Sequence, residues 1–321
     1  MHDGQLVLLL VILAIVAVSL MRPRWRGSGT AFGTARVASK ADLRRAGMLG
    51  SNQGLILGRT QDGELIRMRR YVHLSIFAPT SAGKGVSFVV PWLRSWFHGS
   101  AVVLDPKGEN YRLTAKERRR RGQTVVRLDP FEVCGPGADS FNPLALIGSG
   151  EDGVDDARTL GEAMVIRTGE EKDPHWNDQS ANVITGFLAF ILASLRDEER
   201  NLASLREMVT QGDLCDATVA GMQAKGGVYA RLAGVIAQLK DNEKAGVLST
   251  VHRHTTFLDS PAIIASLSSS SFDARELLKG NMTIYLILPP HQLESQSRWL
   301  RLVTASLLSL IMREGTQENK R

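Results

Sequence analysis

The chain has 321 residues, of which 43% are hydrophobic and 22% are charged, a balance that excludes a disordered chain, a collagen-like chain and a polytopic membrane protein. The length suggests about two domains, and the two cysteines, Cys134 and Cys215, exclude a disulfide-built scaffold and have no zinc-ligand spacing. Residues 1–125 hold 20 Lys and Arg against 7 Asp and Glu, whereas residues 126–321 hold 19 against 26. The basic first part favours an anionic partner, either lipid head groups or nucleic acid, over a merely soluble basic surface.

An uncharged apolar run opens the chain, over residues 6–21. As a helix it would rise about 24 Å, slightly less than the ~30 Å of a hydrocarbon core, and its flanking residues can extend it. The positive charges follow the run, at Arg22, Arg24 and Arg26. The pattern predicts a membrane anchor over residues 1–26 with the rest of the chain in the cytoplasm, in preference to a cleaved signal peptide or a buried core helix.

After a small-residue linker, apolar strands alternate with helices, which argues for a parallel sheet with helical crossovers. The strands are predicted at Gly54–Gly58, Tyr71–Phe77, Ser100–Leu104 and Thr124–Leu128. The helices are predicted at Lys40–Met48, at Gly85–Trp96 and in the charged segment that ends at Arg121.

From residue 150 to residue 271 the strand-like runs vanish and helical periodicity dominates. A strand-like run then returns at Thr283–Leu288, and an apolar-periodic helix follows at Ser297–Met312. The simplest explanation is an α/β fold interrupted by an all-α insertion.

A candidate phosphate-binding loop, Ala78–Gly85, follows the predicted strand at Tyr71–Phe77 and opens a helix. In this context backbone N–H groups wrap phosphates, the helix N-terminus adds partial positive charge, and Lys84 would reach the β- and γ-phosphates. The sequence departs from the general pattern in two places, because alanine replaces the first glycine and Gly85 replaces the hydroxyl residue that usually binds magnesium. Ser87 lies two residues further on. We predict nucleotide binding here; a glycine-rich turn with an exposed lysine is the alternative.

The strand that ends in Asp105 resembles the acidic strand of a nucleotide hydrolase, in which the carboxylate holds magnesium. Pro106 and Lys107, however, follow where a catalytic acid would be needed. We therefore interpret Asp105 and Lys107 as residues at the carboxyl edge of the sheet, near the nucleotide crevice.

A dense basic cluster, Lys116 with Arg118–Arg121, is open to two interpretations: phosphate contacts, or a solvated helix face or subunit contact. His252 and His254 are two residues apart, a poor spacing for a metal pair on a helix. Trp176 is interpreted as a packing anchor rather than a base-stacking platform. Three further arginines, at positions 253, 298 and 301, are candidates for a subunit contact that the spacing does not assign.

Several segments in this order resemble the TraG/TraD-type coupling proteins, the conjugative DNA-transfer ATPases of type IV secretion systems. They are Gly33–Leu43, Ile56–Arg59, Ala78–Trp96, Ser100–Ala115, Val125–Phe131, Phe141–Leu144, Ser270–Pro289 and Arg298–Leu308. The resemblance covers most of the chain from Gly33 onward, and the ordered set is more specific than any one motif.

The resemblance implies a RecA-like motor with an all-α insertion, anchored in the inner membrane and assembled as a homo-hexamer. It implies ATP, with Mg²⁺, as cofactor, and single-stranded DNA, its relaxase and the channel components as partners. By this resemblance Lys84 is the phosphate-binding lysine. The cofactor-binding residues are then Thr80, Ser81, Ala82, Gly83, Lys84, Gly85 and Val86, with Asp105 and Lys107 beside them.

The implied organisation is a membrane anchor, a nucleotide-binding domain in two parts and a helical insertion between them. The anchor is 1–26, the linker and start of the nucleotide-binding domain 27–70, its first part 71–149, the all-helical insertion 150–271, and its second, incomplete part 272–321.

Two departures from the family are expected to matter. The family has two spanning helices, whereas one is visible here. Its Asp-Glu strand should follow the helix that ends near Arg313 after about 2–6 residues, yet the sequence stops at Arg321. The chain is therefore expected to bind nucleotide and to hydrolyse little of it. Two alternatives stay open: a non-catalytic membrane-bound nucleotide-binding or assembly factor, and a coupling protein for protein effectors only.

Overall fold

The structure is a computed structural model, and it describes residues 36–69, 73–95, 99–171 and 173–318. The chain divides into two compact units, Met1–Tyr71 and Val72–Arg321. The predicted membrane anchor lies outside the described residues. Within those residues, no helix combines the length and the apolar character needed to cross a bilayer.

The first unit contains one short helix and one hairpin. Helix α1 (Lys40–Arg45) begins with a capping box, in which the Ser39 hydroxyl accepts from the Asp42 N–H and the Asp42 carboxylate accepts from the Ser39 N–H. Strands β1 (Leu55–Arg59) and β2 (Leu65–Met68) pair antiparallel. The predicted helix at Lys40–Met48 and the predicted strand at Gly54–Gly58 are thereby confirmed, while β2 was not foreseen.

The second unit is built on a three-stranded parallel sheet. Its strands are β3 (Ala101–Leu104), β4 (Thr124–Leu128) and β5 (Met282–Leu286), in the spatial order β3-β5-β4. All three coincide with predicted strands. Because β5 pairs with both of the others, the helical segment between β4 and β5 returns the chain to the centre of the sheet, and the interrupted α/β fold is confirmed.

Strand β5 is buried along its whole length, because helices cover both faces of the sheet. Ile284 and Leu286 join the large core formed with the helical segment. Tyr285 and Ile287 point to the opposite side, where they join a smaller core with Leu93. Successive side chains of the central strand therefore tie two helical layers to one sheet.

The smaller core is covered by two helices. The first is helical from Lys84, has π-type turns at Gly85–Val89, and continues as α2 (Val90–Ser95). The second is α3 (Glu109–Arg120). The π-type turns were not foreseen; they precede Pro91, which has no N–H for an α-helical hydrogen bond.

The predicted strand at Tyr71–Phe77 is wrong over its described part, His73–Phe77, which has no regular secondary structure. A strand needs a hydrogen-bonded neighbour, and none of the described strands pairs with this segment. The Phe77 side chain is 94% exposed, so its apolar character does not reflect burial among the described residues.

The predicted helical character of residues 150–271 is confirmed. The helices are α4 (Gly153–Met164), α5 (His175–Ser194), α6 (Leu202–Thr210), α7 (Gly212–Lys225), α8 (Gly227–Ala237), α9 (Asp241–Thr255) and α10 (Pro261–Leu267). Helix α11 (Ser297–Glu318) follows β5 and packs on α4.

The predicted packing role of Trp176 is also confirmed. A Cβ atom built at Gly246 would lie 2.6 Å from the Trp176 ring, so only glycine lets α9 approach α5 at this point. The ring is partly buried against the main core.

Candidate nucleotide-binding site

The candidate loop forms a tight turn ahead of a helix. The Ala82 N–H donates to the Pro79 carbonyl at 3.3 Å, and Ser81 and Gly83 both have positive φ, +64° and +79°. Positive φ is unfavourable for serine, and such strained residues cluster at ligand-binding sites. The turn delivers the chain to Lys84 in the geometry that begins a helix.

The Lys84 ammonium folds back over the loop. Its Nζ atom donates to the Ala78 carbonyl at 2.7 Å and to the Pro79 carbonyl at 2.8 Å. The Ser87 N–H donates to the Gly83 carbonyl at 2.8 Å, which fixes the first helical turn. A cation, a helix start and a turn of backbone therefore converge at one place, and their chemistry fits a phosphate group.

The loop is open to solvent, so a phosphate can approach it. The predicted residues Thr80, Ser81, Ala82, Gly85 and Val86 are exposed, and Gly83 and Lys84 are half-buried. Chain continuity alone brings these seven residues together.

Ser87 is the hydroxyl residue of the first helical turn after Lys84. A Cβ atom built at Gly83 would lie 3.6 Å from the Ser87 Oγ atom, so this hydroxyl lies beside the loop. Oxygen atoms are the ligands that Mg²⁺ prefers. Among the described residues, no group of three or more His, Cys, Asp and Glu side chains is placed to hold a metal ion.

Asp105 is only 2% exposed, and its carboxylate organises the loop that follows β3. One oxygen accepts from the Tyr111 N–H at 2.8 Å and the other from the Asn110 side-chain amide at 3.3 Å. These bonds tie the carboxylate to the start of α3. The structure therefore gives Asp105 a loop-building role alongside its predicted place at the carboxyl edge of the sheet.

Lys107 is exposed, and its ammonium has no ion pair with any described carboxylate. The next residue, Gly108, has a φ of +67°, and a Cβ atom there would lie 2.2 Å from the Cys134 Sγ atom. The Asp105–Gly108 turn is thus shaped by close packing against the loop after β4, and this turn presents Lys107 to solvent.

Asp129, at the end of β4, has a similar role that was not predicted from the sequence. Its side chain is fully buried and accepts from the N–H groups of Val133 and Cys134 at 2.9 and 2.8 Å. An acidic residue that ends an apolar strand was the signal that could have revealed it, as it did for Asp105.

The basic cluster at Lys116 and Arg118–Arg121 is not one phosphate-binding surface. Arg118 is fully buried and donates to the Leu93 carbonyl at 2.8 Å. Arg120 and Arg121 both pair with Glu117, and this contact lowers the pKa of the Glu117 carboxyl to about 2. The phosphate interpretation is corrected for Arg118, because a side chain in the core cannot contact a strand of nucleic acid.

The chain is similar to proteins of conjugative DNA transfer. A family model described as Type IV secretory system Conjugative DNA transfer matches residues 36–321. The conjugal transfer protein TraG of Escherichia coli is 26% identical over 90% of this chain and 50% of its own length. The protein VirD4 of Rhizobium radiobacter is 26% identical over 88% of this chain and 42% of its own length.

Two solved structures of the bacterial conjugative coupling protein TrwB share the fold. The unbound form of TrwBdeltaN70 has a TM-score of 0.59 and 13% sequence identity, and the match covers 87% of this chain and 59% of that one. The complex with the ATP analogue ADPNP has a TM-score of 0.60 and 13% identity, with coverages of 89% and 62%.

The chain spans about half the length of the curated relatives it matches. The family model, by contrast, covers all of the chain after residue 35. On this match the chain belongs to the type IV secretory system family of conjugative DNA transfer proteins.

Proposed function

We propose that this chain binds ATP at residues 78–86, within a coupling protein that delivers DNA and its attached relaxase to a type IV secretion channel. The observation that carries the proposal is the Lys84 ammonium, which lies on the carbonyls of a strained, exposed turn at the start of a helix. A bound phosphate would draw the ammonium from Ala78 and Pro79, because a charged acceptor forms the stronger hydrogen bond.

ATP supplies a transferable phosphoryl group, and Mg²⁺ would accompany it. In this proposal the loop backbone and Lys84 hold the phosphates, while Ser87 is the nearby hydroxyl available to the metal. Gly85 offers no side-chain ligand, so the ion would draw its remaining ligands from phosphate oxygens and water. The ATP analogue in the TrwB complex supports nucleotide binding as the function of this fold.

The wider role is proposed from family membership. The net positive charge of residues 1–125 and the apolar run over residues 6–21 support an inner-membrane anchor with the rest of the chain in the cytoplasm. By the same resemblance the complete assembly is a homo-hexamer that contacts channel components. A coupling protein that exports only protein effectors differs in one respect, since it would not bind single-stranded DNA.

The nucleotide proposal is tested by titrating the full chain with a fluorescent ATP analogue. Replacing Lys84 with alanine is expected to weaken binding at least tenfold, because an ammonium–phosphate contact is lost. The matched control is Lys240→Ala, an exposed lysine of the helical segment, and it should leave affinity unchanged. Equal binding by the wild type and Lys84→Ala would overturn the assignment.

Hydrolysis is tested separately, by measuring phosphate release from ATP by the wild type and Lys84→Ala. A clear rate that depends on Lys84 would exclude the non-catalytic alternative. Nucleotide binding without release would instead favour a nucleotide-binding or assembly factor. Binding of labelled single-stranded DNA then distinguishes a DNA substrate from protein effectors alone.

A further inference from the structure

A second cationic site lies where the helical segment meets α11. The last turn of α9 carries Arg253 and His254, and the first turns of α11 carry Arg298 and Arg301. Asn177, near the start of α5, joins α9 to this place: its Oδ1 atom accepts from His254 Nε2 at 2.9 Å and from Arg253 at 3.3 Å. We call Arg253, Arg298 and Arg301 the arginine cluster.

The arginine cluster has no acidic counterpart in the part of the chain that the structure describes. No ion pair joins any of its three guanidinium groups to a described carboxylate. Burial, and then the positive charges of Arg253 and Arg301, lower the pKa of Arg298. The first turn of α11 carries no acidic residue, so the positive end of that helix adds to the same field.

Three carboxylates on the neighbouring elements are already engaged, and Glu294, four residues before Arg298, forms no ion pair with the arginine cluster. Glu162 and Asp178 both accept from Arg167, at 2.5 and 2.9 Å. Glu171 accepts from backbone N–H groups of its own loop and from the Asn177 amide at 3.3 Å. These acids do not neutralise the arginine cluster.

Two buried nitrogens at this place have no hydrogen-bond partner. Arg298 Nε is buried and unbonded, as is His254 Nδ1 on a side chain that is only 2% exposed. Because His254 Nε2 donates to the Asn177 oxygen, Nδ1 carries a lone pair in the neutral ring. The unsatisfied Arg298 Nε–H costs free energy, and an anion or an ordered water restores its missing bond, whereas the His254 Nδ1 atom can only accept, as from a water.

Arg301 already uses part of its hydrogen-bonding capacity within the protein. Its guanidinium donates to the carbonyls of Val165 and Glu162 at 3.1 and 3.4 Å, which caps the end of α4. Arg301 therefore adds charge while its donors are partly used. Arg298 and Arg253 hold the donors that are available to a ligand.

We propose that the arginine cluster binds a phosphate group, supplied by the backbone of a single-stranded nucleic acid or by a free polyphosphate. Guanidinium groups match phosphate oxygens in planar pairs, and several converging cations suit a group of high charge density. The site is separate from Lys84 and does not rest on nucleotide binding at the loop.

The test uses the full chain with the Lys84→Ala substitution, so that the loop does not contribute to phosphate binding. The two probes are a fluorescein-labelled 20-nucleotide oligothymidylate, followed by anisotropy at several salt concentrations, and inorganic tripolyphosphate as competitor. Arg298→Gln and Arg253→Gln each remove one charge from the cluster. Arg231→Gln, at an exposed arginine of α8, is the matched control for charge.

Each cluster variant is expected to weaken binding of one probe by about tenfold, whereas Arg231→Gln changes it less than twofold. If the single-stranded nucleic acid is the ligand, the number of counterions released on binding, measured from the salt dependence of the affinity, also falls by about one. Binding of tripolyphosphate alone would identify a free polyphosphate as the source. The unfolding midpoint checks the fold, and Arg253→Gln, at an exposed position, tests the site if Arg298→Gln does not fold.

Three results would overturn the proposal. The first is equal affinity for both probes of the Lys84→Ala chain with and without a cluster substitution, and the second is a loss of affinity no larger than that of Arg231→Gln. The third is a change of molar mass in Arg298→Gln with unchanged phosphate binding. That outcome would assign the cluster to carboxylates of a second copy of the chain.

Discussion

At the scale of single residues, burial decides the role of an arginine more than a basic sequence context does. Arg118 belongs by sequence to a run of basic residues, yet it is fully buried. Besides the Leu93 carbonyl, it donates to the Thr283 hydroxyl and the Gln123 amide oxygen. It therefore joins α2, α3 and β5 through hydrogen bonds, and its contribution is to stability.

Replacing Arg118 with methionine is expected to lower the free energy of unfolding by about 3 kcal/mol, since buried acceptors would lose a charged donor. Urea denaturation measures the change. The matched control is Arg120→Met, because the Arg120 side chain is exposed and pairs only with Glu117 among the described residues. A similar small effect for both variants would contradict the buried role of Arg118.

His254 makes stability depend on pH. Burial, followed by the positive charges of Arg253, Arg298 and Arg167, lowers the pKa of this imidazole to about 4. Between the ordinary pKa of 6.5 and about 4, the unfolded chain binds a proton at this position that the folded chain does not. Stability therefore falls as the pH drops through this interval.

The free energy of unfolding that is lost because of His254 is on the order of 3 kcal/mol over the whole pH interval from 6.5 to about 4. His254→Gln retains an amide donor for Asn177 and does not titrate, so its stability should decline less between pH 6.5 and 4. The difference between the two urea-denaturation curves at each pH removes the contribution of ordinary carboxylates. Parallel pH profiles would show that His254 is not held neutral.

At the scale of elements, a glycine-to-alanine substitution inside a helix usually raises stability, but it lowers stability where a second helix packs closely against the glycine. A Cβ atom at Gly161, in α4, would lie 2.8 Å from the Thr185 hydroxyl and 3.3 Å from backbone atoms of α5. A Cβ atom at Gly234, in α8, would lie 3.4 Å from the end of the Gln238 side chain, which can move. Both glycines are inside helices.

Gly234→Ala is expected to stabilise the chain by about 0.5–1 kcal/mol through helix propensity. Gly161→Ala should instead destabilise it by about 1 kcal/mol or more, because overpacking exceeds the same propensity gain. Thermal unfolding of the two variants compares them directly. Stabilisation by both would mean that α4 and α5 are not in close contact.

Strands and helices were predictable from the sequence where local pattern and burial agree. The β-branched runs at Thr124–Leu128 and Met282–Leu286 lie in the sheet, and each has a hydrogen-bonded neighbour. Tyr71–Phe77 is likewise rich in apolar and aromatic residues, but His73–Phe77 lacks such a neighbour. Composition predicts the preference of a segment for a strand. Whether the strand forms depends on backbone hydrogen bonds to a neighbouring strand, whose residues are distant in sequence.

The two candidate sites differ in the same way. The loop around Lys84 is continuous in sequence, so its residues were predictable, although the contacts of the lysine with Ala78 and Pro79 were not. The arginine cluster draws on α9 and α11, which β5 separates in sequence. Only the fold brings Arg253 and Arg298 to the same place, so spacing alone did not assign it.

At the scale of the whole molecule, both sites belong to one compact unit that is built on a parallel sheet. Strand β5 returns from the helical segment to the centre of the sheet, and α11 then packs against α4. The loop at Lys84 and the arginine cluster are therefore parts of the same compact unit, Val72–Arg321. We propose nucleotide as the ligand of the first and a separate phosphate group as the ligand of the second.

Hydrogen–deuterium exchange of the full chain, with and without a non-hydrolysable ATP analogue and Mg²⁺, tests the nucleotide assignment most directly. We expect slower exchange in peptides that cover residues 78–89, because the loop N–H groups would be bonded to phosphate. Lys84→Ala should abolish this protection at the same analogue concentration. Unchanged exchange over residues 78–89 in the wild type at saturating analogue, or protection confined to other peptides, would contradict nucleotide binding at this loop.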